Sequence, residues 1–305
     1  MSFAPILVFA YNRGEHLRQT LTELAKCPEA SGSKLFIFCD GPKDKNNTKL
    51  VEKVAHVRNV ARDSTWREKF VAVSVVESPH NKGLANSIIN GVTEILIEHN
   101  SVIVLEDDLL VSPDFLTFMN ESLTFYADVN EVGSISAFSS LERLPEDYHL
   151  DVYKIQRNCS TGWATWKDRW ETIRWDDSPL IRVWNDRKLR RKLNQNGSDR
   201  TSRIKRQLDG KIDSWSIRFG VWQLLTDRYT IYASDNRVFN IGLDGSGVHS
   251  GQNDTINMSY LKSPKPFSLV TPPLNRHIAK CVADKYSGKT LNKIARYIKT
   301  EWLRS

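Results

Sequence analysis

The chain has 305 residues, 40% of them apolar and 26% charged, with a formal net charge of 43 − 36 = +7. That length corresponds to about two domains, or one large α/β domain with additions, and the composition excludes a mostly disordered chain. The basic balance favours an anionic partner, whether nucleotide, phospholipid surface or nucleic acid, without choosing among them.

Ile6-Leu7-Val8-Phe9 is a short apolar run without polar alternation, the pattern of a strand buried on both faces. Asn12-Arg13-Gly14 breaks it, and Leu17, Leu21 and Leu24 then fall on one helical face. Leu35 to Cys39 predicts a second buried strand, ended by Asp40-Gly41-Pro42, and Lys49 to Val60 a helix. Val71 to Val76 reads as a third strand, Ser78 to Gly83 as a loop, and Leu84 to His99 as a helix. Val102 to Leu105 predicts a fourth strand, cut by Glu106-Asp107-Asp108. Such strand–helix–strand units with short loops imply a largely parallel, doubly wound α/β sheet. Ligands of such sheets bind outside the carboxyl ends of the strands. Three of those ends carry polar residues here: Tyr11-Asn12-Arg13, Asp40-Gly41 and Glu106-Asp107-Asp108.

Beyond residue 120 the pattern weakens, with a helix and short strands mixed over 121–160. Trp163, Trp166 and Trp170 follow at spacings that place them on one helix face. Residues 182–211 hold eleven Lys/Arg against three Asp/Glu, and 213–227 look helical. A glycine-rich loop spans Gly242 to Gly251, and Lys285 to Ser305 reads as a basic amphipathic helix. No stretch approaches the ~18–20 apolar residues of a membrane span, and the N-terminus lacks the basic region of a secretory signal. Cys27, Cys39, Cys159 and Cys281 form no metal-knuckle spacing, so free thiols in a reducing compartment are expected.

Three consecutive carboxylates after a buried strand repel one another and lose hydration, so they persist most readily beside a cation. Strand alternation points Glu106 and Asp108 to one side and Asp107 to the other. A hard divalent ion takes carboxylate oxygens and keeps positions open for phosphate oxygens. The competing reading is a solvated loop whose acids cap a helix starting near Ser112-Pro113-Asp114.

Strand, acidic triplet and Leu109 together resemble the E-D-D-L form of the DxD motif in metal-dependent glycosyltransferases of the GT-A fold. The nearest likeness is to the inverting N-acetylglucosaminyltransferase I type, with a looser one to bacterial family 2 polysaccharide glycosyltransferases. Ala10-Tyr11-Asn12-Arg13, Cys39-Asp40-Gly41, Pro79 to Ala85, Thr161-Gly162-Trp163 with Trp170, and Gly247 to Gly251 resemble further segments of the family in the same order. Over about residues 4–255 the resemblance implies a Rossmann-like nucleotide-binding half with a mostly parallel sheet, then an acceptor half and a C-terminal helix. Its boundaries are 1–120, 121–260 and 261–305. It implies a UDP-sugar donor contacted by Tyr11, Arg13, Asp40, His80, Lys82, Glu106 and Asp107, and Mn2+ (or Mg2+) held by Asp108 and His249. Asp40 would accept from the uracil imide, and Arg13 would grip the diphosphate. The plainer readings are a turn for Asp40, a surface charge for Arg13 and ordinary loop for His80.

Inverting transfer needs a base for the acceptor hydroxyl. Asp213, in Ile212-Asp213-Ser214-Trp215, is the candidate; helix N-cap is its plainer reading, and Asp177 and Asp235 are weaker candidates. Trp163 and Trp215 are expected on the acceptor side, where an indole stacks on a pyranose, against core packing as the alternative. The basic stretch 182–211 reads as a solvated face or mobile lid, or as a surface for an anionic acceptor such as a lipid-diphosphate. The C-terminal helix fits either peripheral membrane contact or ordinary packing.

The function expected is transfer of a sugar, GlcNAc or a related hexose, to a glycan or lipid-linked glycan in bacterial surface polysaccharide synthesis. The expected place is the cytoplasm or the cytoplasmic face of the inner membrane, because the chain begins at its first strand. Nucleic acid is not expected as a partner, since no nucleic-acid-binding signature is visible. The alternatives are a sugar-nucleotide pyrophosphorylase-like enzyme, which would want a Gly-rich loop after the first strand, and a non-catalytic nucleotide- or glycan-binding protein.

Overall fold

The computed structural model describes residues 3–242 and 266–287. The elements are β1 (Ile6–Ala10), α1 (Gly14–Leu24), β2 (Lys34–Cys39), α2 (Thr48–Ala61), β3 (Ala72–Glu77), α3 (Leu84–Glu98), β4 (Ser101–Glu106), β5 (Leu109–Val111) and α4 (Phe115–Phe125). There follow β6 (Val132–Ser136), β7 (Val152–Ile155), β8 (Trp163–Trp166), α5 (Lys167–Trp170), α6 (Ser178–Asn185), α7 (Arg187–Asn194), α8 (Asp199–Leu208), α9 (Trp215–Leu225), β9 (Tyr229–Ala233), β10 (Val238–Asn240) and α10 (Arg276–Ser287).

Eight strands form one sheet in the order β3-β2-β1-β4-β8-β6-β9-β7. The first four are parallel, β8 runs antiparallel to both β4 and β6, β6 and β9 are parallel, and β7 is antiparallel to β9. The α/β class and the mostly parallel sheet expected from the sequence are therefore present. The continuous apolar runs have a direct cause. Along β1, Ile6, Val8 and Ala10 enter the core on one face, while Leu7 and Phe9 enter that on the other. In β4, Ile103 and Leu105 oppose Val102 and Val104 in the same way. Both faces are covered, so neither needs polar alternation. Each of the Val, Leu, Ile and Phe side chains among them contributes about 1.5–3 kcal/mol on burial. Leu17, Leu21 and Leu24 of α1 and Val57 and Val60 of α2 close the first face; Ile88, Val92 and Leu96 of α3 and Phe219 of α9 close the second.

One expectation is corrected here. Trp163 and Trp166 lie on β8, not on a helix; at odd spacing on a strand they face opposite sides, Trp163 into one core and Trp166 into the other. The basic stretch forms most of α6–α8, packed on α9 through Leu180, Val183, Leu193, Ile204, Ile217, Val221 and Leu224, while most of its Lys and Arg side chains stay exposed, as the solvated-face reading expects; Arg190 and Arg200 are buried. Arg200, inside that unit, donates to the carbonyls of Gln156 (2.7 Å) and Gly220 (3.0 Å), tying the stretch to the rest of the chain. Asp114 precedes α4 but makes no cap bond; its carboxylate instead receives the Ser112 hydroxyl (2.5 Å) and the buried Arg237 (2.9 Å).

The described part of the C-terminal region, α10, packs Ile278 and Val282 against Leu141, Tyr153, Ile155 and Tyr232. Residues 288–305, most of the expected basic helix, lie outside the described residues. No helix among the described residues is long and apolar enough to cross a membrane. All four cysteines are free thiols.

Candidate active site

The carboxyl ends of β1, β2 and β4 meet at one edge of the sheet, because Phe9 pairs with both Phe38 and Glu106. β4 ends at Glu106, and Asp107 and Asp108 form a turn before β5. The expected alternation therefore stops at Glu106. Arg13 Nη2 donates to Asp107 Oδ1 (2.6 Å) and to Asp108 Oδ2 (2.9 Å), so these two carboxylates converge on one point. The Tyr11 amide donates to Asp107 Oδ2 (3.2 Å), and the Thr20 hydroxyl to the Asp107 carbonyl (2.8 Å). Arg13 comes from the β1–α1 turn and sits there because Gly14 opens the helix under the His56 ring, where a Cβ would collide. From the other side, β10 pairs with β5, and the Ile241 amide donates to the Asp108 carbonyl (2.8 Å). A Cβ on Gly242 would collide with the Asp108 carboxylate and lie 2.6 Å from Arg13 Nη1, so that approach requires glycine.

The electrostatics follow from this packing. The side chains of Arg13, Asp107 and Asp108 are 18%, 5% and 10% exposed. Burial works against the charge of Arg13, but Asp107 and Asp108 outweigh it and raise its pKa. Burial raises the pKa of Asp107 against the pull of Arg13. Glu106 is pushed up to about 8 by burial, then by Asp108 and Asp107. Arg13 thus supplies the neutralising cation that the triplet demands. Asp108 Oδ1 is buried and has no hydrogen-bond partner among the described residues. An orphaned, anionic oxygen of this kind fits a hard cation, which binds through one or two carboxylates plus phosphate oxygens. Among the described residues no cluster of three or more His, Cys, Asp or Glu could hold a metal ion. His249 lies outside the described residues.

Asp40 follows β2, yet the structure gives its carboxylate a different occupation from a nucleobase. Oδ1 accepts from the amides of Gly41 (2.8 Å) and Lys82 (2.8 Å), and Oδ2 from Asn81 Nδ2 (3.0 Å) and the Gly83 amide (3.1 Å). Four donors fill the lone-pair positions of a carboxylate, so the expectation of a uracil contact through Asp40 is corrected to that of a turn anchor. It fastens loop 78–83, whose backbone at His80 lies against Gly41 too closely for any side chain there. His80 and Lys82 themselves are exposed at this edge.

Trp163 and Trp215 are 2% and 3% exposed and stack on each other at 4.7 Å, with Trp170 and Phe219 against them. Neither indole is placed where a pyranose could stack; the core alternative holds for both. Trp163 pairs with Val104, two residues before Glu106, and Trp215, the first residue of α9, stacks on Trp163. Asp213 precedes that helix with its side chain 53% exposed. The N-cap is Ser214, whose hydroxyl accepts from the Ile217 amide (3.4 Å), not Asp213. Asp213 instead receives Arg218 Nη1 (2.7 Å), while Arg218 Nε donates to Asp177 Oδ1 (3.1 Å). Sequence reasoning missed Arg218 and Thr20, which nothing local marked; it noted Gly242 only as the start of a glycine-rich loop, without the close approach to Asp108 that the fold imposes.

No protein-family model matches the chain, and no curated protein does. Among solved structures it is similar to TarS of S. aureus (13% identity, TM-score 0.41, covering 78% of this chain and 36% of TarS). It is also similar to the mannosyltransferase PcManGT from Pyrobaculum calidifontis, in complex with GDP-Man and Mn2+ (14%, 0.35, 60% and 47%). A third likeness is to a UDP-glucose pyrophosphorylase complexed with UDP-glucose (15%, 0.37, 76% and 90%). The chain thus spans about a third of TarS and about half of the mannosyltransferase.

Proposed function

We propose that the chain is an inverting, metal-dependent glycosyltransferase that moves a sugar from a nucleoside-diphosphate sugar, UDP-sugars first among them, to a glycan hydroxyl. The observation that carries this reading is the buried Asp107–Asp108 pair, held by Arg13 at the carboxyl edge, with Asp108 Oδ1 left without a partner among the described residues. Asp108 would hold Mn2+ or Mg2+ through that oxygen. Once bound, that ion supplies Lewis-acid stabilisation of the leaving diphosphate. Arg13 is always charged and presents five donors in a fork; relieved of the acids, it can hold phosphate oxygens. Lys82 and His80, exposed on the loop fastened by Asp40, stand at the same edge. Asp213, half-exposed at the N-terminus of α9, would take the proton of the attacking hydroxyl. In this reading residues 1–120 hold the donor and 121–260 the acceptor, a growing bacterial surface glycan.

The test is a stability screen against UDP-, GDP-, CMP- and dTDP-sugars with and without Mn2+, since a ligand that binds the native state raises stability by mass action. A shift that needs both Mn2+ and a nucleotide supports the reading; no shift with any pair refutes it. Asp213→Asn should keep that shift and lose transfer; near-normal turnover would remove Asp213 as the base.

A further inference from the structure

We infer that Trp175, together with the Asp177–Arg218–Asp213 trio, forms the acceptor subsite and takes a neutral pyranoside. This rests on the glycosyltransferase reading and supplies the sugar platform that Trp163 and Trp215 do not provide. Trp163, Trp170, Trp215 and Trp222 are buried, whereas Trp175 is partly buried against the same cluster and keeps accessible surface. Its ring lies 4.5 Å from that of Trp170, which stacks on Trp163 in turn, so the indole is braced from within by the core. An aromatic side chain with one apolar side fixed and surface left over suits the C–H face of a sugar ring.

The polar half of the subsite follows two residues on. Asp177 occupies the N-cap position of α6 but makes no cap bond; Asp176 Oδ1 accepts from the Ser178 amide (2.8 Å) in its place. Asp177 is turned to Arg218, which also holds Asp213. A carboxylate diverted from a helix end has given up a favourable use. Here it joins the candidate base through a shared guanidinium. Each carboxylate lends one oxygen to Arg218, and in this subsite its other oxygen accepts from sugar hydroxyls. Arg218 is shared between two acids, and Arg203 donates to Ser214 and Arg174 to Asp176 beside them. The sugar is assigned to the two carboxylates, which accept from hydroxyls and repel the carboxylate of a uronate or a phosphate. A pyranose stacked on Trp175 would present a hydroxyl toward Asp213, the group the transfer must deprotonate.

The experiment is saturation-transfer NMR on the full chain with the methyl β-glycosides of glucose, galactose, N-acetylglucosamine and glucuronic acid, run with and without UDP and Mn2+. At least one neutral glycoside should receive saturation at its ring C–H protons. Trp175→Ala should weaken that binding about tenfold, the scale of one aromatic contact, and Trp175→Phe should restore most of it. The UDP–Mn2+ stability shift is recorded for each variant. A shift retained with sugar binding unchanged in Trp175→Ala overturns the subsite and leaves the transferase reading standing. Wild-type protein that shifts with UDP–Mn2+ but binds none of the neutral glycosides, or that prefers the glucuronide, also overturns the subsite. Loss of the nucleotide shift in the wild type overturns the parent reading instead.

Discussion

Replacing Arg13 by methionine keeps the length and apolar stem of the side chain and removes the charge that Asp107 and Asp108 share. The two contacts are 2.6 and 2.9 Å, and all three side chains are largely shielded from water. At an effective dielectric constant of about 20, two charges at ~4 Å attract by about 4 kcal/mol. Deleting one partner of a buried pair costs about 3–5 kcal/mol, because the remaining charges stay buried. We therefore expect Arg13→Met to lose about 3–5 kcal/mol of unfolding free energy near neutral pH in EDTA, measured by urea titration. The sign of the pH dependence is fixed by the acids. Burial and mutual repulsion hold Glu106 and Asp107 above their ordinary values, and loss of Arg13 raises them further. An acid whose native pKa is raised binds protons more tightly in the folded state, so stability falls as pH rises from the unfolded to the folded pKa. The deficit should accordingly shrink toward pH 5 and widen toward pH 8. Mn2+ should recover more stability in the variant than in the wild type, by replacing the lost positive charge. A loss below about 1 kcal/mol, the range of an exposed ion pair, or a deficit independent of pH, would refute the account of Arg13 as the internal counter-ion.

Further outcomes follow from the same geometry. Glu106→Gln should be more stable than wild type at about pH 8 in EDTA and equal to it near pH 4.5, because the amide copies the protonated acid and Glu106 titrates near 8; matched urea midpoints at both pH values would contradict this. Asp40→Asn should cost about 1–3 kcal/mol, since its NH2 would face donors now bonded to a carboxylate. The accompanying rise in amide hydrogen exchange should be confined to Gly41 and residues 78–83. Cys27 and Cys39, buried with thiols pushed up to about 12 by desolvation, should resist a thiol-specific disulfide reagent at about pH 8 until the chain is unfolded. Labelling of either at the rate of a free thiol would mean that the core opens locally.

The sequence by itself determined the alternation of strands and helices through residue 106 and the edge where polar residues gather. Those features arise from neighbours in the chain. An apolar run such as Ile6 to Phe9 is buried on both faces wherever it lies, and Leu17, Leu21 and Leu24 share a face in any helix. It also marked the acidic triplet as a place that requires a cation. Tertiary structure decided which cation meets the triplet, and how. Arg13 and Asp107 are 94 residues apart, and their meeting depends on β1 lying beside β4. The same holds for Asp40. A carboxylate after a strand looks alike whether it awaits a ligand or is filled by amides 41 to 43 residues away. Trp163 and Trp166 carry one residue spacing that serves a helix face or two faces of a strand. Pairing with β4 and β6 chose the strand and sent the indoles into separate cores. Local pattern fixes what a segment is able to be; long-range contact selects among those states, because burial and charge pairing are energies of the assembled molecule.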